Sequence, residues 1–231
     1  MKAVIVVPYR DDGGARERNW RIAAQWWLGL GLAPIVVGSS PENEPFDITK
    51  ARNAAVAGAT ERWPDWDVVL MTDSDVILQF GVQAQAALNI AHETNDYVVA
   101  HSAVRYLGED EMEIVASGWA PALLGDRDLE TARLTWETCF AFSREVWETL
   151  GGFDPRFRGF GHQVEAFFHA AKTLFGTFRV AGDCYHLWHP YSADQPNPHL
   201  AANRALVERY WAASGDRIAM KALLAEYVVN A

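Results

Sequence analysis

Apolar residues fall along the first hundred positions in two alternating rhythms. Short, largely apolar runs at Ala3–Val7, Pro34–Gly38, Val68–Met71 and Tyr97–His101 read as strands, and the four consecutive apolar residues Val68–Met71 as one buried on both faces. Between them the apolar residues recur at helical spacing. Arg16–Leu30 puts Trp20, Ala23, Ala24, Trp27 and Leu28 on one face; Ile48–Trp63 is rich in alanine; Gln79–His92 is a third such stretch. Strand and helix in alternation predict an α/β fold with a mostly parallel central sheet flanked by helices.

After Val104 the rhythm fails. Gly108–Glu130 carries many acids and glycines and reads as a long irregular stretch with a mobile loop. Regular patterning returns with a strand at Thr138–Phe142, helices at Arg144–Leu150 and His162–Phe175, and a strand at Thr177–Val180. Two C-terminal helices, Leu200–Ala212 and Asp216–Tyr227, follow. No repeat, low-complexity segment or linker interrupts the 231 residues, enough for one large core, and a single domain is expected.

Composition narrows the partners. The net charge of −10 disfavours a general affinity for DNA or anionic membrane. Two cysteines, Cys139 and Cys184, have no Cys/His pair at zinc spacing and fit a reducing compartment. The apolar run after Met1 is short for a signal peptide, and no run approaches a membrane span, so a cytoplasmic protein without a membrane partner is expected.

Candidate chemistry begins at Asp73-Ser74-Asp75, directly after the apolar run Val68–Met71. In an open α/β sheet the carboxyl end of a strand is where ligands bind. Two carboxylates there are costly unless a cation or a donor network neutralises them. A divalent metal carrying a phosphorylated ligand is one neutraliser; a cap or turn for the following helix is the other reading. Three further segments bear on the choice. Val7-Pro8-Tyr9-Arg10-Asp11-Asp12-Gly13-Gly14 is a loop leaving the first strand, with Arg10 suited to a phosphate or an aspartate; the dinucleotide pattern of three glycines is absent. In Phe46-Asp47-Ile48-Thr49-Lys50-Ala51-Arg52-Asn53, Thr49 is a candidate N-cap. Lys50 and Arg52 run against the helix dipole in the first turn, as a bound anion or simple solvation would allow. Cys184-Tyr185-His186-Leu187-Trp188-His189 sets two histidines three apart after a strand. With an aspartate, two imidazoles suit manganese or another borderline cation.

These segments, in this order, resemble nucleotide-sugar-dependent glycosyltransferases of the glycosyltransferase-A fold. The likeness is to the broad family-two type and its relatives, the β-galactosyltransferases and polypeptide N-acetylgalactosaminyltransferases, and runs to about His189. Val7-Pro8-Tyr9-Arg10 resembles the family's Pro-Phe-Arg nucleotide loop, and Phe46–Asn53 its Phe-Asn-x-Ala-Lys-x-x-Asn segment. Asp73-Ser74-Asp75 is similar to its metal-binding Asp-x-Asp. Phe140–Phe153 resembles the segment before the acceptor site, and Gly159-Phe160-Gly161 the Gly-Trp-Gly loop. The cysteine-to-histidine spacing of Cys184 and His189 matches a segment that supplies a further metal ligand, and His186 falls where galactosyltransferases have a ligating methionine.

The resemblance implies sugar transfer from a nucleotide-diphosphate sugar with Mn2+ or Mg2+. Asp75, His186 and His189 would bind the metal, and Pro8, Tyr9, Arg10, Thr49, Arg52, Asp73 and Ser74 the nucleotide sugar. Phe160, Gly161 and Gln163 would meet the acceptor, a glycan, a protein or a modified nucleobase. Residues 1–104 would form the nucleotide-sugar half, 105–199 the acceptor and metal-completing half, and 200–231 the closing helices. One departure stands out: the family follows its Gly-Trp-Gly loop with Gly-Glu-Asp, and here Gln163 and Val164 replace the two acids. Val164 also falls on an apolar helical stripe with Phe167, Phe168, Ala171, Leu174 and Phe175. If transfer inverts the anomeric centre, Glu165 is the first candidate for a base, then His162, with Glu137 in reserve; if it retains configuration, no base is required there. Two other classes fit parts of the sequence. Met71-Thr72-Asp73-Ser74-Asp75-Val76 resembles the nucleophile strand of haloacid-dehalogenase-type phosphohydrolases, and a non-catalytic nucleotide-sugar or glycan-binding module would need no base.

Overall fold

A computed structural model of the protein describes residues 1–116, 124, 129–133, 135, 137–190 and 197–228. The elements run β1 (Ala3–Pro8), α1 (Ala15–Leu30), β2 (Ile35–Gly38), α2 (Ile48–Arg62), β3 (Val68–Thr72), β4 (Val76–Leu78), α3 (Gly81–Thr94), β5 (Tyr97–Val99) and β6 (Ala103–Tyr106). They continue α4 (Glu109–Ala116), β7 (Thr131–Arg133), β8 (Cys139–Ser143), α5 (Arg144–Leu150), α6 (Gln163–Leu174), β9 (Thr177–Arg179), β10 (Asp183–His186), α7 (Leu200–Ala213) and α8 (Arg217–Val228). Among the described residues, no helix is long and apolar enough to cross a membrane.

The central sheet has the order β2-β1-β3-β8-β5-β9. All neighbours pair parallel except at β8, which is antiparallel to both β3 and β5. A second, smaller sheet has the order β4-β10-β6-β7. Successive residues of β3 feed opposite sides: Val69 and Met71 pack with α2 and the C-terminal helices, Val68 and Leu70 with α1, α3 and the second sheet. Burial on both faces is why that run is apolar without a break. Close packing of α2 on the sheet depends on Gly38, where a Cβ would come within 2.2 Å of the Ala55 nitrogen.

Several expectations need correction. The buried stripe of α1 is Asn19, Ala23 and Trp27; Leu28 faces solvent. Part of the stretch expected to be irregular is a helix, α4, with Met112 and Val115 buried. Much of its remainder lies outside the described residues. The apolar stripe of α6 holds for Val164, Phe167, Ala171 and Leu174, whereas Phe168 and Phe175 only lean on the core. The cap of α2 is Asp47, not Thr49. Asp47 Oδ1 accepts from the Lys50 amide and Oδ2 from the Gly159 amide, so one carboxylate ends the helix and ties it to a distant loop.

Candidate active site

The carboxyl ends of β1 and β3 open into a cleft of about 380 Å³. Pro8, Tyr9, Arg10, Arg52, Asp73, Ser74, Asp75, Phe160, Gly161, His162, Gln163 and His186 all line it. Thr49 is buried, and Glu165, partly exposed, is not among the residues lining the cleft. His189 lines the adjoining cavity, which shares His186 with the cleft.

Strand pairing brings the metal candidates together. Just past Asp75 the chain enters β4, which runs antiparallel to β10 and sets Val76 opposite His186. The Leu187 amide donates to the Asp75 carbonyl at 2.8 Å. Nε2 of His186 lies 3.7 Å from one Asp75 oxygen and Nε2 of His189 3.4 Å from the other. One atom from each residue falls within 4.8 Å of the other two. Nδ1 of His189 meets the Pro190 carbonyl, which turns Nε2 toward Asp75. The bend between the histidines is clamped from α1, where buried Asn19 donates to the Leu187 and Trp188 carbonyls. Burial pushes the Asp75 carboxyl up, and the hydrogen bond from His189 and the two imidazoles outweigh it and leave it lowered. One carboxylate oxygen and two imidazole nitrogens suit manganese and its neighbours, with positions left for a ligand's oxygens.

Asp73 is treated differently. Burial raises its carboxyl, against Arg52, whose Nη2 donates to Oδ1 at 2.8 Å. Arg52 is only 4% exposed, and its Nε and Nη1 find no partner among the described residues. Gln163 Oε1 is likewise buried and unpartnered. Orphaned buried polar atoms are rare in folded proteins. Here a donor group and an acceptor atom share one cleft, as a ligand rich in oxygen and hydroxyl groups would require. Arg10 donates through its two Nη atoms to Ser40 and to the Pro41 and Glu44 carbonyls and sits 5.3 Å from the Phe46 ring centroid, while its Nε is buried without a partner among the described residues. Its part is to hold the loop that carries Phe46. Lys50 pairs with Glu44.

The far wall is a tight loop. Gly159, Gly161 and His162 have φ of +68°, +102° and +70°. Buried Asn203 donates to the Arg158, Phe160 and Gly161 carbonyls and holds the loop in place. Phe160 is left half exposed at the mouth. Nδ1 of His162 lies 3.0 Å from Oε2 of Glu165, whose Oε1 accepts from Trp211 Nε1.

Glu137 also lines the cleft, and its carboxyl is raised, first by burial and then by Asp73 and Glu165, with Arg52 opposing. Below it, wholly buried His101 meets the Glu137 carbonyl and Thr138 Oγ1 through Nε2, each at 3.0 Å. Burial drives this imidazole from 6.5 down to about 4. The folded chain therefore resists a proton that the unfolded chain takes up. Its contribution is present in full above pH 6.5 and is lost as pH falls through about 4. Between pH 7.5 and 4.5 the loss amounts to about 2–3 kcal/mol at roughly 1.4 kcal/mol per pH unit. Urea melts across that range are expected to show His101→Gln losing less stability than the parent; parallel curves would refute this.

Comparison with known proteins adds a fold. No protein-family model matches the chain, and no curated protein matches its sequence. Solved structures do. The catalytic domain of Drosophila β1,4-galactosyltransferase 7 with xylobiose aligns at a TM-score of 0.59 and 13% identity, covering 90% of this chain and 80% of that one. A mutant of that enzyme with manganese, UDP-Gal and xylobiose aligns at 0.57 and 13%, covering 88% and 79%. GalNAc-T7 with UDP, GalNAc and Mn2+ aligns at 0.52 and 12%, covering 91% of this chain and 48% of that one. Helices on a central sheet, a second small sheet that returns to the end of β3, and these alignments together give the chain the glycosyltransferase-A fold.

Proposed function

We propose that the protein transfers a sugar from a nucleoside diphosphate sugar to an acceptor hydroxyl, with Mn2+ or Mg2+ held by Asp75, His186 and His189. The observation that carries the reading is the convergence of two imidazole Nε2 atoms on Asp75 at the rim of a cleft that also holds the orphaned nitrogens of Arg52 and oxygen of Gln163. When bound, the cation would neutralise charge developing on the departing diphosphate. The chain's own residues do the rest. Pro8, Tyr9 and Ser74 border the nucleoside side, and Arg10 keeps Phe46 there. Arg52, fixed by Asp73, offers its free nitrogens to phosphate or sugar oxygens. Phe160, Gly161 and Gln163 receive the acceptor, a glycan, a protein or a modified nucleobase. Thr49, buried, supports α2 from below.

The galactosyltransferase and GalNAc-T7 complexes hold UDP or a UDP-sugar with manganese, which makes a UDP-sugar the first donor to try. The test is a thermal-shift panel of UDP-galactose, UDP-glucose, UDP-N-acetylgalactosamine and GDP-mannose with Mn2+, Mg2+ or chelator. At 100 times Kd, ligand binding adds about 2.7 kcal/mol, so one donor with Mn2+ should raise the midpoint by about 5–10 °C. No shift with any pair, or an equal shift in excess chelator, would remove the reading. Binding without turnover would favour the non-catalytic module.

A further inference from the structure

One imidazole in the cleft, His162, is hydrogen-bonded to a carboxylate and held in a left-handed backbone position. We propose that His162 is the general base, with Glu165 and Trp211 as positioning residues; this rests on the sugar-transfer reading above.

His162 lines the cleft from a left-handed backbone position, φ +70°, immediately before α6. Such a conformation is uncommon outside glycine, and strained residues gather at functional sites. Nδ1 of His162 lies 3.0 Å from Glu165 Oε2, and Trp211 Nε1 donates to Glu165 Oε1 at 3.0 Å. An ionised carboxylate only accepts, so Nδ1 carries the proton and Nε2 the lone pair. Glu165 has both oxygens engaged and does not line the cleft; it acts through the ring, fixing its tautomer and orientation. Glu137 lies within electrostatic reach of His162, and Arg10, Arg16, Arg52, Asp73, Asp75 and His186 also line the cleft.

In the step, the acceptor oxygen attacks the anomeric carbon while its proton passes to Nε2 of His162. The bond from the anomeric carbon to the diphosphate oxygen breaks, and its electron pair leaves with the nucleoside diphosphate. The imidazolium then gives its proton to solvent. Attack opposite the leaving group inverts the anomeric centre.

The experiment uses the full chain, Mn2+, and the UDP-sugar giving the largest shift in the panel, with water as acceptor and UDP release as readout. His162→Gly suits the left-handed backbone. It is expected to lose at least about 100-fold in turnover, keep the donor Kd within about threefold, and recover turnover in added imidazole. Glu165→Gln should lose about tenfold in turnover with the donor Kd unchanged, and the double variant with His162→Gly should lose no more than His162→Gly alone, because a residue that acts only through the ring has nothing left to act on. A separate structural role would add its loss to that of His162→Gly. Full turnover in His162→Gly, no imidazole rescue, or additive losses in the double variant would overturn the assignment. Loss of turnover in Glu137→Gln with His162→Gly unaffected would overturn it in favour of Glu137. If the parent chain binds no UDP-sugar with Mn2+, the sugar-transfer reading falls first and the base with it.

Discussion

Asp75→Ala is expected to abolish Mn2+-dependent nucleotide-sugar binding, with an affinity loss of more than about 100-fold, and to leave the fold intact. Of the three converging side chains Asp75 alone brings negative charge, and both imidazoles aim at it. Removing a mere supporting partner of a metal ligand costs 10–100-fold in affinity, so loss of the anionic ligand itself should exceed that. The fold should survive because the strand junction rests on the backbone: the Asp75 carbonyl accepts from the Leu187 amide, and Val76 pairs with His186 whatever side chain stands at 75. Titration calorimetry with and without Mn2+ reads the first half of the result, and a thermal melt the second. Donor affinity in Asp75→Ala equal to the parent's would remove the metal site.

The sequence carried this site unevenly, for physical reasons. The apolar run into Asp73 was legible because a strand buried on both faces needs no alternation, and the end of such a strand points to the ligand edge. His186 and His189 could be noticed by spacing. Their meeting with Asp75 depends on β4 and β10, strands too short to leave a period and far apart in the sequence. The reversed direction of β8 has no local sign; it follows from where the chain re-enters from the second sheet. Thr49 and Asp47 are both cap-forming residues two positions apart, and the choice falls on Asp47 because its second oxygen is needed at Gly159. Arg10 reads from sequence as a partner for a phosphate or an aspartate, and its bonds to the Ser40 and Pro41 carbonyls carry no local sign because those residues lie 30 and 31 positions on. The start of α4, Glu109-Asp110-Glu111, is helix-favouring chemistry that a run of acids among glycines conceals. Asn19 gave the least sign. A polar residue on an apolar helix face looks like a lapse in the pattern, and in the structure it steadies the histidine bend.

Val164→Asp is expected to destabilise the chain by about 2–4 kcal/mol, lower its melting midpoint by about 5–15 °C, and leave turnover unimproved. The substitution writes the resembling family's acid back at its position. In this chain Val164 is 2% exposed and belongs to the core formed with Phe153, Phe167 and Tyr210. Valine and aspartate are close in size, so the loss would come from burying a carboxyl group among aromatic rings, not from a cavity. The first turn of α6 offers some relief, since helix N-termini favour negative charge by about 0.3–1 kcal/mol, which is less than the desolvation of an unpaired acid. Val164→Ala separates the two effects by trimming the side chain without adding a polar group; it should lose less than the aspartate variant. Calorimetric melts of the three proteins decide the stability order, and UDP release decides turnover. An aspartate variant as stable as the parent and faster in turnover would mean that position 164 reaches the cleft. In that case the base belongs where the family has it, and His162 has a different role.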